Sequence, residues 1–151
     1  MRRDSRLSVA LHVLLHMQEL DHVVTSEVIG QMMDANPVVV RRTMAGLRDA
    51  GIVSSVKGHG GGWSLARALD TVTLGDVYEA LGTPALFSIG NRVEAPGCLV
   101  EQAVNRALGQ ALDEAEALLL TRLRHVSVQE LAADVRRKGG LGKKKSGKPS
   151  A

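Results

Sequence analysis

Three groups of residues in this 151-residue chain could do chemistry. The first is a set of cations: Arg41, Arg42, Arg48, Lys57 and Arg67 fall between residues 36 and 67, where Asp49 is the only acid. Clustered cations on one surface are what phosphate contacts require, since each neutralised phosphate releases counterions. The second is Cys98, the single cysteine, with Glu101 three residues on. Near a helix start the dipole favours the thiolate, the reactive form, while Glu101 opposes it by like-charge repulsion. Such a thiol can form a sulfenic acid or an intersubunit disulfide. The alternative is a small buried hydrophobe with no chemistry. The third is His12 and His16, four apart and so on one helix face, where two imidazoles could grip a metal.

Each of the enzyme readings lacks a part. The zincin pattern needs Glu directly after the first histidine, and Val13 stands there, so the general base is missing. The intervening Val13-Leu14-Leu15 reads as helix core, which leaves His12 and His16 as surface or interface histidines. His22 has nothing to tie it to them. Gly58-His59-Gly60-Gly61-Gly62 lacks the Gly-Lys-Ser/Thr ending of a phosphate-binding P-loop. No nucleophile, base and acid can be grouped by spacing. The chain is not expected to be an enzyme, and no metal site is assigned.

Composition sets the scale. One domain with an appendage fits the length, and a chain this long can bury a core of its own. Only Trp63, Tyr78 and Phe87 are aromatic, so the core must be aliphatic, which suits helices packed on helices. One cysteine excludes an intramolecular disulfide framework and any all-cysteine metal or cluster site within one chain. No run approaches the ~18 apolar residues of a membrane span, and a soluble, cytoplasmic protein is expected. Residues 136–151 carry seven basic residues and no acid, whereas the rest sets twelve basic residues against all sixteen acids. The body is acidic. The Gly/Lys/Ser/Pro end reads as a disordered basic tail.

The elements that must position these groups follow from period and caps. Leu7, Leu11, Leu14, Leu15 and Met17 predict a helix over residues 5–20. Thr25 can cap a second helix with Glu27 in its first turn and Val28, Ile29 and Met32 on its apolar side. Asn36 and Pro37 open a third, running to about residue 50 with Val40, Met44 and Leu47 inward and Gly51 as its stop. That leaves Arg41, Arg42 and Arg48 mostly outward. Residues 52–57 and 63–65 are β-prone around the glycine-rich turn, hence a hairpin. Thr73-Leu74-Gly75-Asp76 reads as a capping box, residues 82–97 as a loop or hinge, and residues 99–126 as a long helix. Its apolar stripe (Val100, Val104, Ala107, Ala111, Ala115, Leu118, Leu119, Leu123) suits a dimer interface, with an intrachain core helix as the alternative. Ser127 to Glu130 reads as a second capping box before a short last helix.

Helix, helix, basic helix, hairpin is the order of a winged helix-turn-helix, in which the third helix meets the major groove and the wing approaches a phosphate or the minor groove. The run from Leu47-Arg48 through Gly60-Gly61-Gly62-Trp63 to Arg67 resembles the Rrf2 family of bacterial transcription regulators. Thr73 to Leu81 is similar to that family's next helix and the long helix to its dimerisation helix, so the resemblance spans about residues 1–135. It implies a mainly α fold with a small β-hairpin wing: a winged domain over 1–82, a hinge or sensor loop over 83–98, and dimerisation and C-terminal helices over 99–135. Residues 136–151 are the tail.

The resemblance also implies a homodimer that reads a palindromic double-stranded DNA operator, and a repressor is the expected role. By motif position Val38, Val39, Arg41 and Arg42 would reach base edges. Lys57 with His59, Gly60 and Gly61 would enter the minor groove, and Arg48 would hold backbone or an intramolecular carboxylate. Lys57 and His59 replace the usual Arg and Pro of the wing, a change that bears on minor-groove preference. Cluster-binding relatives place three cysteines in the hinge. Here Cys98 resembles the third, Glu101 stands where some relatives have histidine, and the first two are absent. No cofactor is expected, and Cys98 stays open between a redox sensor at the hinge and a small hydrophobe without a sensing role. Three alternatives stay open: an iron–sulfur regulator with non-cysteine ligands, a small ligand held near the hinge, and a protein- or RNA-binding module without sensing. The last lacks an aromatic platform for stacked bases, Trp63 being the only aromatic near the patch.

Overall fold

A computed structural model describes residues 4–87, 95 and 97–139. Helix α1 (Arg6–Leu20) buries Ala10, Val13, Leu14 and Met17, a three-four-seven spacing that makes one stripe. Helix α2 (Ser26–Met33) starts where the Thr25 hydroxyl accepts from the Val28 N–H at 3.2 Å. It buries Ser26, Ile29 and Gly30, while Val28 and Met32 face outward. The expected apolar side of α2 is therefore wrong at two of three residues. The reason is a close backbone approach: a Cβ on Gly30 would lie 2.8 Å from the Ala35 carbonyl, so α2 meets the following turn through its glycine side.

Helix α3 (Pro37–Asp49) begins as expected, with the Asn36 side chain accepting from the Val38 N–H at 2.8 Å and proline in the first turn. It ends in a Schellman motif: the Gly51 N–H bonds the Arg48 carbonyl, the Ile52 N–H bonds the Leu47 carbonyl, and Gly51 takes φ 72°. Strands β1 (Val53–Val56) and β2 (Gly62–Leu65) pair antiparallel, Val53 opposite Leu65 and Val56 opposite Gly62. Val24 extends this hairpin, exchanging both backbone bonds with Trp63 at 2.8 and 2.9 Å.

After a 3-10 turn (Leu69–Thr71), helix α4 (Leu74–Ala80) opens with a complete capping box between Thr73 and Asp76. Long α5 (Leu99–Arg124) and short α6 (Val128–Arg137) follow. The Ser127 hydroxyl accepts from the Glu130 N–H, but Glu130 is not seen to return a bond, so the second box is a one-sided cap. Helix α6 runs through Arg136 and Arg137, and Asp134 pairs with both Arg137 and Lys138. The ordered chain therefore reaches into the first residues of the predicted tail, whose remainder, 140–151, lies outside the described residues.

One core joins these parts. Leu14, Ile29, Met44, Leu47, Ile52, Leu69, Val72 and Val77 fill its centre, and Val128 of α6 lies in it although it comes after α5 in the chain. Helix α3 approaches α4 so closely that a Cβ on Gly46 would lie 2.5 Å from the Ala80 carbonyl. Helix α5 is clasped at its C-terminal end: Arg124 covers Gly75 and pairs with Glu79 at 2.9 Å, and Thr73 bridges Ser127. None of its 26 residues is buried, which removes the reading of α5 as an intrachain core helix.

Candidate nucleic-acid interface

Packing turns α3 so that Val40, Thr43, Met44 and Leu47 point inward. The outward face then carries Val38 (58% exposed), Val39 (51% exposed), Arg41 and Arg42. Arg41 is held: its Nη2 donates to Glu27 Oε1 of α2 at 2.7 Å, with both side chains more than half exposed. The Glu27 carboxyl is kept below the usual range first by its own backbone N–H at the helix start, then by Arg41. Arg48, at the far end of α3, donates to Asp49 at 3.1–3.2 Å, so it sits on an intramolecular carboxylate. Arg42 and Lys57 have no ion pair among the described residues.

The wing tip is exposed throughout residues 57–60. Gly58 and Gly60 take φ of 90° and 73°, which suits glycine, and the Gly61 N–H closes the turn onto the Gly58 carbonyl at 2.9 Å. A side chain at Gly61 would strike the Val56 and Gly58 carbonyls at 2.5 and 2.7 Å. The root of the wing is fixed by a contact the sequence did not announce. Trp63, 8% exposed, donates its indole N–H to the buried Ser26 hydroxyl at 2.9 Å. The wing root is thus joined to α2, and α2 in turn holds Arg41 through Glu27.

The hinge readings fare differently. Cys98 stands at the N-cap position of α5 without a side-chain capping bond and is exposed, so the reading as a buried hydrophobe fails in the single chain. Glu101 folds back to accept from the Ala95 N–H at 3.1 Å. Residues 88–94 and 96, the rest of the expected sensor loop, lie outside the described residues. Upstream, buried Tyr78 donates to the Pro84 carbonyl at 2.8 Å, and burial first, then Glu116, raises its phenol. His12 and His16 stack with ring centroids 4.7 Å apart and Nε2 atoms 2.9 Å apart. Burial and then His12 hold His16 below the ordinary histidine value, with Glu19 partly opposing. Among the described residues no group of three or more His, Cys, Asp or Glu side chains is placed to hold a metal ion. None of their helices is long and apolar enough to cross a membrane.

The Rrf2 family model, described as iron-dependent transcriptional regulator, matches residues 3–134. YwnA of Bacillus subtilis, which carries an HTH-type transcriptional regulator name, is 30% identical over 129 residues, 85% of this chain and 95% of the relative. Among solved structures, a transcriptional regulator from Lactobacillus plantarum superposes with a TM-score of 0.76 at 24% identity, covering 89% of this chain and 92% of that one. T. potens IscR superposes at 0.67 with 14% identity, over 95% and 94%. The family description names iron, and a cluster held by cysteine thiolates alone does not fit within this chain. Cysteine thiolates are the usual holders of iron–sulfur clusters, and this chain has one cysteine, on the surface, beside a carboxylate already bonded to backbone. With the winged helix-turn-helix and its basic outward face in place, the match fixes the family: this chain belongs to the Rrf2 family of DNA-binding transcriptional regulators.

Proposed function

We propose that this chain is a cytoplasmic, homodimeric repressor that reads a palindromic operator with two copies of α3 and its wing. The observation that carries the reading is the outward face of α3, where two exposed valines stand beside Arg41 and Arg42 at the helix start. Valine can meet a thymine methyl but cannot read donors and acceptors, whereas arginine can pair with guanine O6 and N7. Lys57, His59, Gly60 and Gly61 then reach the flanking minor groove, and α5 supplies the dimer contact.

The test is binding-site selection from a randomised duplex pool, followed by affinities for the selected site and its single-base variants. Arg41→Ala is expected to relax preference at one base pair per half-site, costing about 1–3 kcal/mol of discrimination there. An unchanged preference at every position would remove Arg41 from base readout.

The signal enters at Cys98 in this reading, without a resident cofactor. The exposed Cys98 sulfur, reacting in its deprotonated form, can attack a peroxide, taking one oxygen and releasing hydroxide; the sulfenic acid then condenses with the Cys98 thiol of the other subunit, forming an intersubunit disulfide and releasing water. In a reconstituted transcription assay the wild type should repress in reducing buffer and release on peroxide treatment. Cys98→Ser should repress without releasing. A Cys98→Ser protein that still responds to peroxide ends the thiol-sensor reading, and transcription that rises with added protein ends the repressor reading.

A further inference from the structure

We propose that Glu27 is a specificity-determining positioning residue: it aims the Arg41 guanidinium for base contact and holds it off the phosphate backbone. The inference rests on Arg41 as a base reader. It begins from an oddity of charge, because residues 36–67 are poor in acid and yet the fold brings a carboxylate from α2 into their outward face. The pair is too exposed to be explained by stability, since surface ion pairs contribute little.

What is fixed is its geometry. Glu27 lies in the first turn of α2, behind the Thr25 cap. Helix α2 is tied to the wing root by the Trp63–Ser26 hydrogen bond, and its C-terminal end turns tightly into α3, the Ala35 N–H bonding the Gly30 carbonyl. The carboxylate is therefore presented from a helix anchored at both ends. It accepts from Arg41 Nη2 at 2.7 Å, a charge-assisted distance, and so sets the plane of the fork. The other guanidinium donors are left for a ligand, and guanine takes two of them in one plane.

The negative charge has a second consequence. A free Arg41 would contact whichever phosphate came within reach, strengthening binding to any sequence. Paired with Glu27, Arg41 brings no net charge to a phosphate, and the carboxylate repels the backbone. Binding to unselected duplex is weakened more than binding to a site with guanine in the right place, and that difference is specificity.

Glu27→Gln removes the charge and keeps the size. Its affinity for random duplex at physiological salt should rise roughly 3- to 10-fold, and its log–log salt slope should steepen by about 1, as for one added phosphate contact. Preference for guanine at the position lost in Arg41→Ala should fall about 10-fold. Glu27→Asp, which keeps the charge on a shorter arm, should retain the wild-type slope while loosening the base preference. In an Arg41→Ala background Glu27→Gln should have no effect on that preference.

The idea is overturned if Glu27→Gln leaves slope and preference unchanged while Arg41→Ala loses the preference. It is equally overturned if Glu27→Gln weakens all duplexes alike at constant slope, the mark of a merely structural role. If Arg41→Ala itself keeps the wild-type preference, the base-readout reading has failed, and the inference falls with it.

Discussion

Replacing Val104 and Leu118 together by glutamate should yield a folded monomer whose affinity for a two-half-site operator is about 10²–10⁴-fold weaker. Both residues are exposed in the single chain, 50% and 74%, and lie four turns apart on the same face of α5. Leu99, Val100 and Leu108 are exposed alongside them. Burying a valine or leucine side chain is worth about 1.5–3 kcal/mol, so the valines and leucines that α5 leaves exposed are a large driving force for association. In the proposed dimer a two-fold axis brings the same face of both copies together. Charges placed within it would have to be desolvated against like charges from the other copy. The winged core does not include α5, so unfolding of the monomer should be nearly unaffected. Linking two half-site readers makes the second contact intramolecular, and loss of the link removes that gain. Sedimentation equilibrium and DNA titration check both parts. A variant that stays dimeric, or a monomer that binds as tightly as wild type, contradicts the assignment of this face.

Trp63→Ala should cost roughly 3–5 kcal/mol of stability, the range for deleting a large buried aromatic. The indole fills the junction of β2, Val24 and α2, and its N–H has a buried acceptor in Ser26. Trp63→Phe separates the two contributions. It keeps most of the apolar volume and loses the hydrogen bond, for about 1 kcal/mol. Because the wing root and α2 share this residue, Trp63→Ala should also reduce discrimination between operator and random duplex in the folded fraction. Urea unfolding at two temperatures measures the first effect. A loss under about 1 kcal/mol for the alanine variant would mean the junction relaxes around the cavity and Trp63 does not tie the wing root to α2.

The order of elements was legible because it depends on local signals. Asn36-Pro37 and Gly51 bound α3 by the hydrogen bonds they make or forgo, and Thr73-Asp76 forms its box within four residues. The outward face of α3 was legible for the same reason, since Val40, Met44 and Leu47 mark the inward side by their spacing. Contacts set by how helices cross were not. Val28 and Met32 read as apolar-face residues, but the glycine of α2, small enough for close approach, decides which side packs. Glu27 read only as a helix-dipole residue, because pairing the first turn of α2 with Arg41, fourteen residues on, requires the geometry of the turn between them. Trp63 reads as a marker of the wing, and its bond to Ser26, 37 residues away, has no local sign. Two short polar–apolar patterns also misled in a smaller way: Ser127 caps without a returning bond, and Arg136 and Arg137 continue a helix where charge composition suggested a tail.

The measurement that tests the central claim most directly is the selection of binding sites from a randomised duplex pool by the full chain at physiological salt. Two α3 helices presented by one dimer predict a two-fold symmetric consensus whose half-sites lie about one helical turn, or a multiple of it, apart. Affinity for that consensus should exceed affinity for the starting pool by at least ~10³-fold. A pool that emerges without a consensus, bound only in proportion to low salt, would mean that the basic surface attracts phosphate and the exposed face of α3 reads no sequence.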